Sequence, residues 1–322
     1  MLYLNSNEII SAVTCDQMMD AVERAMRIYE DKTYTMPERM NVPCGNGNIL
    51  LLMPCIAGDY IATKTLTLYP ENRKVAKPVI QATVMLADRS NGTPLAVMDG
   101  GTITALRTGA VGGSSIRHLA RKDAQSIGLV GCGVQGFYQL KHGFEARDIR
   151  EVSLFDMSPG SSEQLSEKIN IDYPHIKVNI AETVEELVYA SDIVITATTA
   201  RMPVFPDTAD LFAGKHCIAV GSFEADVREY PDAVFRQLSR VWVDIDYAKE
   251  ESGEILVPLS EGLISDEQIE TLGQLIRSEK EPDRGPSGTT FFKTVGMGLF
   301  DLEAARLVYE CALELGLGTE LN

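Results

Sequence analysis

No stretch of 18 apolar residues occurs in this 322-residue chain, so no membrane span is expected. Positive charge is scarce: 29 Lys and Arg stand against 46 Asp and Glu, a net charge of -17. That balance argues against nucleic acid or an anionic membrane as a partner. The six cysteines, at 15, 44, 55, 132, 217 and 311, form no CxxC pair and no metal spacing. They read as reduced, mostly buried thiols. His118, His142, His175 and His216 are scattered, with no HExxH, so no zinc site is expected. There is no G-x-S-x-G elbow and no GxxxxGK[ST] phosphate loop. The opening MLYLNSNEI has no basic region leading into an apolar run, so no signal peptide is expected and the reading is cytoplasmic. The length suffices for two domains with good cores.

What is present centres on 126–156. The apolar run Ile127–Val130 leads directly into Gly131, Gly133 and Gly136, spaced G-x-G-x-x-G with Val134 and Gln135 between. A helix-length segment follows from Gln139, then a second apolar run, Val152–Phe155, ending in Asp156. Strand, turn, helix, strand and acid are the parts of a dinucleotide site. The first glycine permits the turn, the second makes room for a pyrophosphate at the helix N-terminus, and the third lets helix and strand pack closely. Asp156 falls at the offset of an acid that accepts the adenosine ribose hydroxyls. It would repel a 2'-phosphate, and Met157 and Ser158 bring no compensating cation, so NAD(H) is expected over NADP(H).

From Ser126 onward strands and helices alternate. Strands are expected at 126–130, 152–156, 176–180, 192–197, 217–221 and 240–244, a parallel sheet covered by helices. Thr198 and Gly221 fall at strand ends on the carboxyl edge, where such sheets bind ligands, and Asp226 follows in GSFEADVRE. Asp266–Arg277 is expected to be a helix, 278–289 a loop, and Met297–Leu313 a last helix.

Before Ser126 the rhythm differs. Thr14 and Gln17 make a capping box, and Met18, Val22, Ala25, Met26 and Tyr29 recur at helical spacing. Met36–Asn48 is turn-rich. Strands are expected at Leu2–Leu4, Ile49–Met53, Tyr60–Leu68, Val79–Ala87 and Leu95–Met98, with the hairpin signal Asn91-Gly92 joining the last two. A helix capped by Thr102 should run to about Leu119. The fold class is therefore α/β: a Rossmann-type domain at 121–296 and a smaller α+β domain at 1–120 and 297–322, with a mostly antiparallel sheet.

Three basic residues stand out in the smaller domain. Lys64 interrupts an otherwise apolar strand, where a charge must face water or be paired. Arg107 lies between TITAL and TGAVGG, whose small residues allow its guanidinium into a cleft, and Arg39 sits in the turn-rich segment. Arginine suits bidentate capture of a carboxylate. Asp301, within GMGLFDLEAA, is either a helix-end charge or a functional acid.

Taken together, MPERM at 36–40, LLMP at 51–54, KTLTLYPEN at 64–72, NGTPLAVMDGGTITALRTGA at 91–110, IGLVGCGVQG at 127–136, GSFEADVRE at 221–229 and FKTVGMGLFDLEAA at 292–305 resemble the ornithine cyclodeaminase/mu-crystallin family. The resemblance spans nearly the whole chain. It implies a homodimer built through the N-terminal domain, with a nicotinamide nucleotide on the other. By position, Arg39, Lys64 and Arg107 match the family's substrate-carboxylate residues, and Asp301 matches an acid near that pocket.

The family's reactions include ornithine cyclodeamination, ketimine reduction, amino-acid dehydrogenation and opine-type synthesis, and mu-crystallin-like members bind small ligands. Cyclodeaminases carry an acid two places before the MP pair, where this chain has Leu51, and an Asp where it has Phe223. The expected reaction is therefore reduction of a C=N bond next to a carboxylate. The substrate would be a cyclic ketimine such as pyrroline-2-carboxylate, or the imine of a 2-oxo acid and an amine as in alanine dehydrogenase. Lys64 and Asp301 would be catalytic, with Asp226 among the substrate contacts. Ornithine cyclodeamination and a non-catalytic ligand-binding protein are the alternatives. Glu38, Glu224 or Asp226 turned inward would favour ornithine.

Overall fold

The computed structural model describes residues 1–75, 77–222 and 224–321. Phe223, read as an apolar replacement for a family acid, lies outside them. The chain divides into two compact units, Met1–Arg107 with Met297–Asn322, and Thr108–Gly296.

In the first unit, eight strands form one sheet ordered Thr319–Glu320, Leu2–Leu4, Pro94–Asp99, Ile80–Asp88, Tyr60–Leu68, Ile49–Ala57, Tyr34–Thr35, with Met40–Pro43 also on Ile49–Ala57. All pairings are antiparallel except Leu2–Leu4 with Pro94–Asp99. Met40–Pro43 falls in the segment expected to be turn-rich, where no strand was expected. Its strand character comes from antiparallel pairing with Ile49–Leu52 across the tight turn at 44–48, a gain that local composition does not show.

Register places Met53, Lys64, Val84 and Met98 side by side on one face, and Cys55, Ala62, Leu86 and Ala96 in the next row. The helices Cys15–Asp31 and Gly298–Leu315 pack together, the latter lying against the central strands. Thr14 and Gln17 make the reciprocal cap, and Met18, Val22, Ala25 and Met26 are buried as their spacing implies. The Asn91-Gly92 turn forms with Gly92 at φ 75°, braced by Asp88 Oδ1, which accepts from the Ser90 N–H and hydroxyl.

The helix Gly100–Leu119 is capped differently from expectation. Asp99 Oδ1 accepts the Thr102 N–H at 2.7 Å, while the Thr102 hydroxyl bonds Ser6 Oγ. Asp99 is the better acceptor because its carboxylate is charged. The divide between the units falls inside this helix, at 107/108 rather than at 120/121. Its second half is tied to the other unit's own elements. Gln139 Nε2 donates to Thr108 O at 2.9 Å, and Ser115 Oγ lies 3.2 Å from His216 Nε2.

The second unit holds an all-parallel eight-stranded sheet: Lys177–Ile180, Glu151–Phe155, Ser126–Val130, Ile193–Thr196, His216–Ala219, Thr290–Lys293, Val241–Val243, Ile269–Thr271. The two strands beyond the expected six are short and late in the chain. Ile269, Leu272, Leu275 and Ile276 have helical spacing and are all buried, which disguised the strand Ile269–Thr271 as the start of a helix. The helix begins only at Leu272, where Thr271 and Gln274 form a capping box. Thr290–Lys293 inserts between two strands that precede it in sequence, and its flanking Gly- and Pro-rich loop masks it. A core of Phe212, Tyr230, Phe235, Phe291 and aliphatic side chains fills the space beneath the sheet.

Candidate active site

In the first unit, three of the basic and acidic candidates meet. Lys64 Nζ donates to Asp301 Oδ2 at 2.6 Å, and Arg107 Nε donates to Asp301 Oδ1 at 3.1 Å. The side chains are 2%, 1% and 8% exposed for Lys64, Asp301 and Arg107. Each comes from a different element: mid-strand, the first turn of Gly298–Leu315, and the helix Gly100–Leu119. Burial pulls the Lys64 ammonium down to about 8; Asp301 opposes that shift, while Arg107 and Arg39 add to it. Burial pushes the Asp301 carboxyl up, but Lys64 and Arg107 outweigh it and the net shift is downward. Two buried cations thus share one anion, and Arg39, half-buried, contributes further positive potential. Such a site attracts a second anion.

Cys55 lies on the same sheet face. Burial, then the charges of Asp301 and Glu303, push its thiol up to about 12, so it stays neutral. Leu51 shares this face as well, paired with Leu66 next to the Met53–Lys64 pair. Where an acid would have stood, the wall beside Lys64 is aliphatic. Glu38 is exposed.

The second unit carries a cavity of about 940 Å³ at the carboxyl edge of its sheet, lined among others by Gly131, Gly133, Asp156, Thr198, Arg201 and Val204. Gly131 has φ 101°, which a side chain rarely adopts. A Cβ on Gly136 would meet Gly131 O at 2.3 Å, so helix and turn require glycine there, while a Cβ on Gly133 would meet nothing within 4 Å. Gly133 caps the helix Val134–Ala146, whose first-turn N–H groups therefore face open space. Val134 is exposed, and Gln135 Oε1 is buried without a hydrogen-bond partner among the described residues. Asp156 is locked in place: Oδ2 accepts the Cys132 N–H and Oδ1 the Ser158 N–H, both at 2.8 Å. These features fit a dinucleotide: open room at a helix N-terminus for the pyrophosphate, and a fixed acid for ribose hydroxyls.

A model of the ornithine cyclodeaminase/mu-crystallin family matches residues 2–316. The chain belongs to the ornithine cyclodeaminase/mu-crystallin family. Among curated relatives, a Delta(1)-pyrroline-2-carboxylate reductase of Bacillus cereus is 32% identical, with 100% of both chains covered. Among solved structures, the Thermococcus litoralis Delta(1)-pyrroline-2-carboxylate reductase in complex with NADH and L-proline is 33% identical, with a TM-score of 0.92 over 100% of both chains. An archaeal alanine dehydrogenase dimer with bound NAD is 30% identical, with a TM-score of 0.89, covering 100% of this chain and 99% of that one.

Within this family member, Asp226 does not take the buried position expected of a substrate contact. Its side chain is 74% exposed and its Oδ2 accepts from Arg201 at 2.7 Å; Glu224 accepts from the same guanidinium at 3.2 Å. The reason is local: residues 224–226 are exposed, and Arg201 pairs with both acids. Arg201 lines the nucleotide cavity, a cation the sequence did not reveal, but its guanidinium is engaged by those two carboxylates. The acid that is buried is Glu229, three residues on. Glu254 is buried too, its carboxyl pushed up to about 7 by burial and then by Glu229, against the pull of Lys293. Nothing in local spacing marked either glutamate. Glu229 lies in the loop after the strand His216–Ala219 and Glu254 in the first turn of the helix Gly253–Ser260, and only the fold brings them together.

Proposed function

We propose that this protein is an NAD(H)-dependent reductase of the C=N bond adjacent to a carboxylate. Its substrate is a cyclic ketimine of the pyrroline-2-carboxylate type, or the imine of a 2-oxo acid and an amine. The observation that carries this reading is the buried Lys64–Asp301–Arg107 cluster, with a lysine near pKa 8 and an excess of positive charge. Full-length similarity to the reductase solved with NADH and L-proline supports it.

Arg107 has its Nη groups left to hold a substrate carboxylate while Nε stays on Asp301, and Arg39 adds the second cation. Lys64, protonated at neutral pH and fixed by Asp301, places a proton at the imine nitrogen. Asp301 orients the ammonium and compensates its burial. Gly131, Gly133, Val134, Gln135, Gly136, Asp156, Thr198 and Gly221 hold the dinucleotide. When bound, the reduced nicotinamide supplies two electrons and a hydrogen to the imine carbon. The proton from Lys64 completes the amine, and the reverse direction returns it to a neutral lysine.

The reading divides the labour between the units: substrate binding and dimerisation in the first, the dinucleotide in the second. The sheet face opposite the Gly298–Leu315 helix carries Leu50, Leu52, Pro54, Ile56 and Ile61, with Met40, Val42 and Met85 exposed. An apolar face of this kind fits a homodimer, as in the dimeric alanine dehydrogenase relative. A cytoplasmic location belongs to the same reading, and the six free cysteines are compatible with it. Among the described residues no helix is long and apolar enough to cross a membrane.

The test is loss of NADH absorbance with pyrroline-2-carboxylate and with 2-oxo acids plus ammonia or methylamine. Lys64→Ala should bind NADH normally and lose about 10²–10⁴-fold in kcat. Near-full turnover by that variant overturns the mechanism, and silence of the wild type across the panel overturns the enzyme reading.

A further inference from the structure

Thr198 and Val204 bracket a loop that forms one wall of the nucleotide cavity, and one residue outside the loop grips both ends. Glu229 Oε1 accepts the Thr198 N–H and the Thr198 hydroxyl, each at 2.8 Å. The Glu229 carbonyl accepts the Val204 N–H at 2.9 Å. The other carboxylate oxygen, Oε2, accepts the Gly221 N–H at 2.7 Å, at the end of the adjoining strand His216–Ala219.

The geometry points to Glu229 as a positioning residue for the dinucleotide: it shapes the 198–204 wall and closes the seam between two strand ends without itself touching the ligand. This rests on the NAD(H) reading of the cavity.

Three further observations carry it. With its proton given to Glu229, Thr198 Oγ1 is left to accept the Ala200 N–H, which it does at 3.1 Å, so the order passes to a second cavity-lining residue. A Cβ on Gly221 would meet Thr198 O at 2.1 Å and Glu229 Oε1 at 2.7 Å. The strand ends are drawn so close that only glycine fits under the carboxylate. Glu229 is itself held: Glu254 accepts the Glu229 N–H at 2.7 Å and the Tyr230 N–H at 3.0 Å, and also the Ser222 hydroxyl at 3.0 Å. Lys293, fully buried, supplies positive charge to both glutamates. A carboxylate taking three donors in a dry site makes stronger bonds than a neutral acceptor. The neighbouring strands are already paired along their length, so the two-ended grip bears on the shape of the loop between them and the cavity.

Glu229→Gln keeps the backbone contact to Val204 and one carbonyl acceptor, but turns an NH2 group toward either Thr198 or Gly221. Thr198→Val is the milder variant, removing only the hydroxyl link. NADH affinity by calorimetry, and steady-state constants for the imine at saturating NADH, are measured on the two variants and their double. We expect NADH Kd to rise about tenfold in each single variant and the double to be no worse than the worse single. For Glu229→Gln, which does not line the cavity, imine KM and kcat at saturating NADH should stay within twofold. If folded Thr198→Val and Glu229→Gln bind NADH as tightly as wild type, the proposal fails. It also fails if the two losses multiply in the double variant, because the residues then act independently. If Glu229→Gln does not fold, Thr198→Val alone decides. Wild-type protein that does not bind NADH fails the cofactor reading instead, a separate outcome.

Discussion

Lys64 Nζ and Asp301 Oδ2 lie 2.6 Å apart, in side chains that are both almost fully shielded from water. Burial nonetheless keeps the lysine near 8, because one carboxylate must serve both Lys64 and Arg107. The pH dependence of turnover follows. Imine reduction needs the ammonium, so kcat/KM should be level below about 8 and fall about tenfold per pH unit above it. Amine oxidation needs the neutral lysine and should rise through the same pH. Opposed profiles measured in the two directions check this; parallel profiles would remove Lys64 as the proton carrier.

Ornithine should be a poor substrate. Its distal ammonium would meet Leu51 on the face beside Lys64, while Glu224 and Asp226 are exposed and paired to Arg201. Burying a cation without a partner costs several kcal/mol. Proline formation from ornithine should run at least about 100-fold below pyrroline-2-carboxylate reduction, on the scale of 1.4 kcal/mol per tenfold. Efficient proline and ammonia release would reverse the assignment.

Cofactor choice should hinge on Asp156. Its carboxylate is fixed by the Cys132 and Ser158 N–H groups, so it cannot swing away from a 2'-phosphate. Wild type should prefer NADH over NADPH, and Asp156→Ala should narrow that preference by at least about tenfold. Competitive titration of both reduced cofactors reads this directly.

Acid should destabilise the second unit through His142. Burial depresses this histidine from 6.5 to about 4. A depressed folded pKa means the unfolded chain binds more protons between those values. The stabilisation is therefore full above 6.5 and lost as pH falls through 4, on the order of 3 kcal/mol at 1.36 kcal/mol per unit. Urea midpoints between pH 7 and 4 should fall more steeply in wild type than in His142→Gln.

Legibility in the sequence followed how local each signal was. The glycine turn and Asp156 were readable because one strand, one helix and the next strand carry them consecutively. Lys64 was readable as an anomaly, a charge inside an apolar strand. Its partnership with Asp301 was not, since the two are 237 residues apart and only packing of the last helix on the sheet joins them. Asp226 stands out in the sequence because it follows the strand end closely, whereas nothing local marks Glu229. The chain turns at 224–227, exposing the first acid and burying the second. The strand Thr290–Lys293 has no local signature because its place in the sheet is set by neighbours far away in sequence.

That 237-residue separation has a consequence for synthesis. A ribosome makes Lys64 long before it makes Asp301, and the sheet that carries the lysine has no counter-ion until the final helix emerges. A nascent or truncated chain lacking Gly298–Leu315 would leave Lys64 and Arg107 facing each other without the acid, and Cys55 and Val84 without the helix side of their cover. The first unit can therefore close only after the last helix is made, although its strands are made first.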